Sequence, residues 1–165
     1  MSEHVAVQNE VVIRRQFDAP RELVWKMWTD PDHFARWYGP FDFTVPVVEM
    51  DLRAGGSYLI CLERLAPEGP SKLWFAGNYL EIVENERLVY TDYLSDEMGR
   101  ALPDPSDGGS ENAPHVTEFQ VEFQDASTGT ILMVTQKNTP SDSSAADAWK
   151  TQLDKLQAVI ESISR

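Results

Sequence analysis

The chain has 165 residues, 42% of them hydrophobic and 25% charged, which suffices for one domain burying about two thirds of its unfolded surface and is too short to suggest two. Its 27 acidic against 14 basic residues, a net charge of −13, oppose phosphate backbones and anionic headgroups, so nucleic acid is not an expected partner. No apolar run nears the roughly twenty residues of a membrane span, the N-terminal MSEHVAVQNEVVIRR lacks the apolar block of a secretory signal, and the one cysteine, Cys61, excludes an internal disulfide; the expected location is the cytoplasm.

Val11, Ile13 and Phe17 alternate with polar Arg14 and Gln16 as in a half-buried strand, and Arg15 shares the apolar parity. In DAPRELVWKMWTDP, Asp18 is placed to cap a helix, Pro20 suits its first turn and Asp30-Pro31 ends it. A second short helix is expected in PDHFARWYGP, where Phe34, Trp37 and Tyr38 fall at i, i+3 and i+4 before the Gly39-Pro40 stop. Strands are expected from Phe43 to Leu52 and from Tyr58 to Glu63, joined at Arg53 to Ser57. After the APEGPS turn come Leu73 to Val83 and Arg87 to Leu94.

Ser95 to His115 is rich in Pro, Gly, Asp and Ser and far exceeds the usual loop of about four to six residues, as a lid or a mobile segment would. Val116 to Gln124 alternates cleanly, with Thr117, Phe119, Val121 and Phe123 on one face, and pairs through Asp125 to Gly129 with Thr130 to Gln136. The period then turns helical: Trp149, Leu153, Leu156, Ile160 and Ile163 form one seam of a long C-terminal helix. One helix facing a large antiparallel sheet requires the sheet to curl around it, and a curled sheet closed by a helix often leaves space between them.

The combination of RQFDAPRELVWKMWTDP, WYGP, DLRAGGSY, GNYLEIVENERLVYTDY, VEFQD, GTILMVTQ and AWKTQLDKL resembles bacterial homologues of the activator of the heat shock protein 90 ATPase, in the START-like or SRPBCC superfamily. The resemblance runs from about Val11 to Ile163. It implies a single α+β domain with a helix-grip fold, in which a curled antiparallel sheet of about six to seven strands surrounds a long C-terminal helix and two short helices follow the first strand. It implies a cavity rather than a reaction. The family's frequent Gly-Trp pair near the start of that helix is here Ala148-Trp149.

Catalytic and metal signatures are missing. The chain has three histidines, His4, His33 and His115, one cysteine, and no CxxC, HExxH, P-loop or GxSxG motif, so neither a metal nor a cofactor is expected. Cys61, between Ile60 and Leu62, reads as a small core hydrophobe. Arg15, if its strand stays regular, is expected at a wet cavity bridged to a carboxylate such as Glu49 or Asp51; a bulge would instead release it to solvent. Asn78 shares parity with Trp74, Ala76, Leu80 and Ile82, and is either a polar handle in a pocket or a local hydrogen-bonding group. Asp92 and Tyr93 cannot both point inward.

The rings are the most informative set. Trp28 and Trp149 read as core, whereas Trp37, Tyr38, Tyr58, Trp74 and Tyr90 suit either core or pocket wall. The leading expectation is binding of a small, largely apolar molecule between sheet and C-terminal helix, with Trp37, Tyr38, Tyr58, Trp74, Asn78, Tyr90 and Arg15 as candidate contacts. A co-chaperone-like interaction module, with the chaperone as partner, is a second expectation. A cyclase or hydrolase of polyketide-like or aromatic compounds, drawing on Arg15, Glu49, Asp51, Tyr58, Glu63 or Tyr90, is a third.

Overall fold

The computed structural model describes residues 10–102, 116–138 and 145–164. β1 (Glu10–Phe17) leads into two short helices, α1 (Arg21–Thr29) and α2 (Pro31–Trp37). Six strands follow: β2 (Thr44–Met50), β3 (Ser57–Ala66), β4 (Gly69–Val83), β5 (Arg87–Ser95), β6 (Thr117–Asp125) and β7 (Thr130–Lys137). α3 (Ala145–Ser164) closes the order. The sheet is antiparallel with spatial order β1-β7-β6-β5-β4-β3-β2, so the first strand returns beside the last. This is the helix-grip arrangement expected from the sequence.

Local chemistry sets the element ends, not always as expected. Pro20, not Asp18, occupies the cap of α1 and offers no side-chain bond; its carbonyl accepts from the Leu23 and Val24 amides. Asp30 ends α1 and caps α2 with its own carboxylate, which accepts from the Asp32 amide at 2.9 Å. The β3–β4 hairpin is tighter than the composition of APEGPS suggests, because Ala66 pairs directly with Gly69. Gly69 takes φ 120°, which a side chain rarely tolerates.

The inner face of the sheet carries the alternation read from β6: Phe119, Val121 and Phe123 are buried, as are their β7 neighbours Leu132 and Val134. Against them α3 lays Trp149, Leu153, Leu156 and Ile160, while Ile163, near the end of the seam, is exposed. Trp28 stacks on Trp149 at 5.9 Å and meets Trp37 edge-on at 4.8 Å, so α1, α2 and α3 join in one aromatic core.

The inner parity of β4 differs from expectation. Tyr79, not Asn78, pairs with inward Tyr90, and a bulge between Tyr79 and Glu81 then inserts one extra residue. That residue shifts the alternation, so Ile82 faces the core opposite Leu88 while Leu80 is 51% exposed. A regular period of two carried through the bulge puts Asn78 on the wrong face.

A carboxylate-bearing cavity between the sheet and the C-terminal helix

The turn after α2 separates two neighbouring rings. Trp37 is fully buried and its Nε1 donates to the Met27 carbonyl at 2.9 Å. Tyr38, the first extended residue beyond the helix, stacks on Phe34 at 4.3 Å and swings toward α3. Gly39 follows at φ 99°, and three α3 side chains hold the turn. The Gln152 amide oxygen accepts from the Gly39 N–H, Thr151 Oγ1 accepts from the Phe41 N–H, and Lys155 Nζ donates to the Gly39 and Phe43 carbonyls.

Between this turn, the sheet and the first half of α3 lies a cavity of about 240 Å³. Rings of Tyr38, Phe75, Phe119 and Trp149 wall it, and Asp92, Thr117, Gln136 and Gln152 supply polar groups. Strand register explains the grouping, because antiparallel partners share a face. Asp92 lies opposite Thr117, Tyr90 opposite Phe119, and Phe119 opposite Gln136. Gln136 Oε1 accepts from Trp149 Nε1 at 2.7 Å, which fixes the indole in the wall.

Asp92 gives the cavity its electrostatic character. Burial pushes its carboxyl up to about 7, since desolvation disfavours the charged form. Its charge adds to burial in raising the Tyr38 and Tyr58 hydroxyls, and Tyr90 is raised by burial, then by Tyr38 and Asp92. The Tyr58 hydroxyl is buried without a hydrogen-bond partner among the described residues, while the Tyr90 hydroxyl is directed at that of Tyr38. Both rings belong to the aromatic set behind Tyr38. They line a second space beside Tyr38, lined also by Trp28 and Tyr79, that side chains fill to about 10 Å³, too little for a ligand.

The expected contacts thus divide. Tyr38 lines the cavity; Tyr58 and Tyr90 stand behind it in the filled aromatic wedge. Trp37 lines neither space and is a core residue. Trp74 is half-buried on the outer face, paired with Cys61 and Ser95. Asn78 is exposed and borders an outer groove of about 420 Å³, where Leu59, Ala76 and Tyr93 meet Met98 and Gly99. That groove is larger, but it has two rings, Tyr58 and Tyr93, where the inner cavity has four.

Arg15 is bridged to a carboxylate, as one reading expected, but to neither of the two named. β1 runs in regular register, with Arg15 opposite inward-facing Leu132, so no bulge releases it. Nor does it reach Glu49 or Asp51: its guanidinium donates to Asp154 of α3 at 2.7 Å, at the rim where β1 meets the helix. Glu49 and Asp51 border the outer groove instead, on the far side of the sheet.

Cys61 is buried, and burial raises its thiol, so it is no activated nucleophile. His33 sits in α2 away from the cavity, while His4 and His115 lie outside the described residues. Only 95–102 of the long loop falls within them, where Ser95 bridges Ala101; the lid expected in the rest lies outside them. Among the described residues no group of three metal-ligating side chains occurs, and no helix is long and apolar enough to cross a membrane.

Sequence reading missed Gln136 and Gln152, and left open whether Asp92 or Tyr93 points inward; it is Asp92. Asp92 shares alternation with Leu88 and Tyr90, Gln136 with Leu132 and Val134, and Gln152 stands three residues after Trp149. Each signal is a polar residue on an apolar face, visible once the face is assigned.

The model of the family described as activator of Hsp90 ATPase homolog 1-like protein matches residues 18–161. No curated protein matches. Among solved structures, a protein from Chromobacterium violaceum is 27% identical, with 92% of this chain and 96% of that one covered at a TM-score of 0.73. A protein from Nitrosomonas europaea is 22% identical over 97% and 99%, at 0.75. An AHSA1-like protein from Aeromonas hydrophila is 22% identical over 94% of each chain, at 0.69. The latter two likenesses speak for the fold alone. With most of its length matched from the first helix to the last turns of α3, the chain belongs to the family of activator of Hsp90 ATPase homolog 1-like proteins.

Proposed function

We propose that this protein binds a small, largely apolar molecule in the cavity between its sheet and α3, with the ligand's polar end toward Asp92. The cavity's size and lining carry the reading: about 240 Å³, walled by four aromatic rings, with one carboxylate among them. An apolar cavity of about 150 Å³ is enough to take up benzene, and drug-sized ligands occupy about 300–1,000 Å³. The fitting ligand is therefore a single substituted ring or a short chain. Flat rings against Tyr38, Phe119 and Trp149 bury apolar area in offset or edge contacts.

Trp149 in the wall makes the test direct. Aromatic compounds are titrated against tryptophan fluorescence and thermal unfolding; a ligand at a hundred times its Kd stabilises by about 2.7 kcal/mol. Ala148→Phe, which fills the cavity from α3, is expected to abolish binding in a folded protein. Binding undiminished in that variant, or no stabilising compound in a broad aromatic panel, sinks the reading.

One observation favours a second reading. A carboxyl near 7 is matched to proton transfer at neutral pH, and Tyr38 beside it is a hydroxyl donor, as abstraction of a proton next to a carbonyl requires. Its signature is turnover of a ketone-bearing aromatic with an inflection near pH 7 that Asp92→Asn removes. None of the catalytic candidates named from sequence, Arg15, Glu49, Asp51, Tyr58, Glu63 and Tyr90, lines this cavity.

A further inference from the structure

We infer that the ligand of this cavity carries a protonated amine, held by the Asp92 carboxylate with its apolar part among Tyr38, Phe119 and Trp149. The inference rests on the binding reading above and narrows it to a chemical class.

The first ground is that Asp92 has no cation of its own. It makes no hydrogen bond or ion pair among the described residues, and desolvation is what governs its titration. A half-buried carboxylate among apolar walls gains from a cationic partner. The nearby helix cations are committed elsewhere, Lys155 to the Gly39 and Phe43 carbonyls, while Arg15 goes to Asp154.

The second ground is the wall. Ring faces carry negative potential and attract organic cations. Phe119 stacks with Tyr90 at 4.9 Å and meets Trp149 edge-on at 5.9 Å, and Tyr38 meets the same indole at 6.2 Å, so several rings converge beside one carboxylate. That combination favours an ammonium over an anion or a neutral group.

The third ground is the remaining polar set. Facing Asp92 are Tyr38 from the end of α2, Tyr58 from β3, Tyr90 from its own strand, Thr117 from β6, Gln136 from β7 and Gln152 from α3. None is cationic, so nothing in the cavity competes for the carboxylate. The net charge of −13 also raises the local concentration of cations.

The pH dependence follows. An alkylamine stays protonated to about pH 10. Asp92 ionises near 7, so amine affinity rises with pH to about 7 and levels above it. Amine binding in turn draws the Asp92 titration downward.

The experiment compares 2-phenylethylamine with its neutral isostere 2-phenylethanol by calorimetric titration of the intact protein at pH 8 and pH 5.5. The amine is expected to bind at least about tenfold tighter at pH 8, as a desolvated cation beside a carboxylate and rings would. That advantage is expected to shrink or reverse at pH 5.5, as Asp92 takes up its proton, and to vanish in Asp92→Asn, whose folding is checked by its thermal melt. Equal affinities at pH 8, an amine advantage undiminished at pH 5.5, or one that survives Asp92→Asn would overturn the amine assignment. In those cases Ala148→Phe still tests the cavity: if it abolishes alcohol binding, the general reading stands. If neither compound binds, the amine assignment falls and the broad aromatic panel judges the cavity separately.

Discussion

The Gln152 side chain on α3 accepts a hydrogen bond from the Gly39 N–H at 2.8 Å, joining residues 113 positions apart. Both groups are buried, and Gln152 also lines the cavity. One side chain therefore fixes the turn that carries Tyr38 and shapes the floor that Tyr38 faces. Gln152→Leu leaves the Gly39 N–H buried without an acceptor and is expected to cost about 1–3 kcal/mol by chemical denaturation. Gln152→Glu, which keeps an acceptor, is expected to cost less; equal losses would show that the bond is immaterial.

Trp37 and Tyr38 are neighbours with opposite roles. Trp37→Phe removes the Nε1 bond to Met27 and ring contact with Trp28, for an expected loss of about 1–3 kcal/mol with ligand affinity unchanged. Tyr38→Phe is expected to shift stability by less than about 1 kcal/mol and to change affinity instead. Paired melting and titration of the two variants decides the assignment, and the reverse pattern would refute it.

Asp92 makes stability depend on pH with a definite sign. Its folded value of about 7 lies above the ordinary 3.8, so the folded state holds the proton more tightly than the unfolded one between those limits. Stability from this group is full below about 4, falls as pH rises to about 7 and is level above. Asp92→Asn is therefore expected to flatten that slope and to be the more stable protein at pH 8, by an amount on the order of a few kcal/mol. Urea midpoints measured from pH 4 to pH 8 check this; parallel profiles for the two proteins would contradict it.

Gly77 brings β4 against β5 beside Asp92. A Cβ there would lie 1.8 Å from the Thr91 carbonyl oxygen, a clash with backbone rather than with a flexible side chain. Gly77→Ala is expected to cost at least about 3 kcal/mol, beyond the usual penalty of overpacking, and to lower affinity by displacing Asp92. A neutral effect on both melting and binding would show that the strands separate freely.

The strands and helices were legible because each carries its own period. Thr117, Phe119, Val121 and Phe123 declare a strand face, and Trp149, Leu153, Leu156 and Ile160 a helix seam, whatever they pack against. Asn78 makes the local hydrogen bond of its second reading, donating to the Gly56 carbonyl; its inner-pocket reading fails because a bulge at Leu80 changes parity without leaving a residue-type signature. The choice between Asp92 and Tyr93 stays open in the sequence because the alternation that sends Asp92 inward is weak in a strand where Val89 and Ser95 are also buried.

Sequence alone determined the element order, the family and the supply of rings, since these depend on local pattern and composition. Which rings close the core and which border open space was decided by tertiary structure. Trp37 and Tyr38 are adjacent and chemically alike, yet a helix end and the grip of Gln152, Thr151 and Lys155 on the following turn send one into the core and the other to the cavity. A cavity is a property of surfaces brought together from distant segments, and the partners that shape this one lie more than a hundred residues apart.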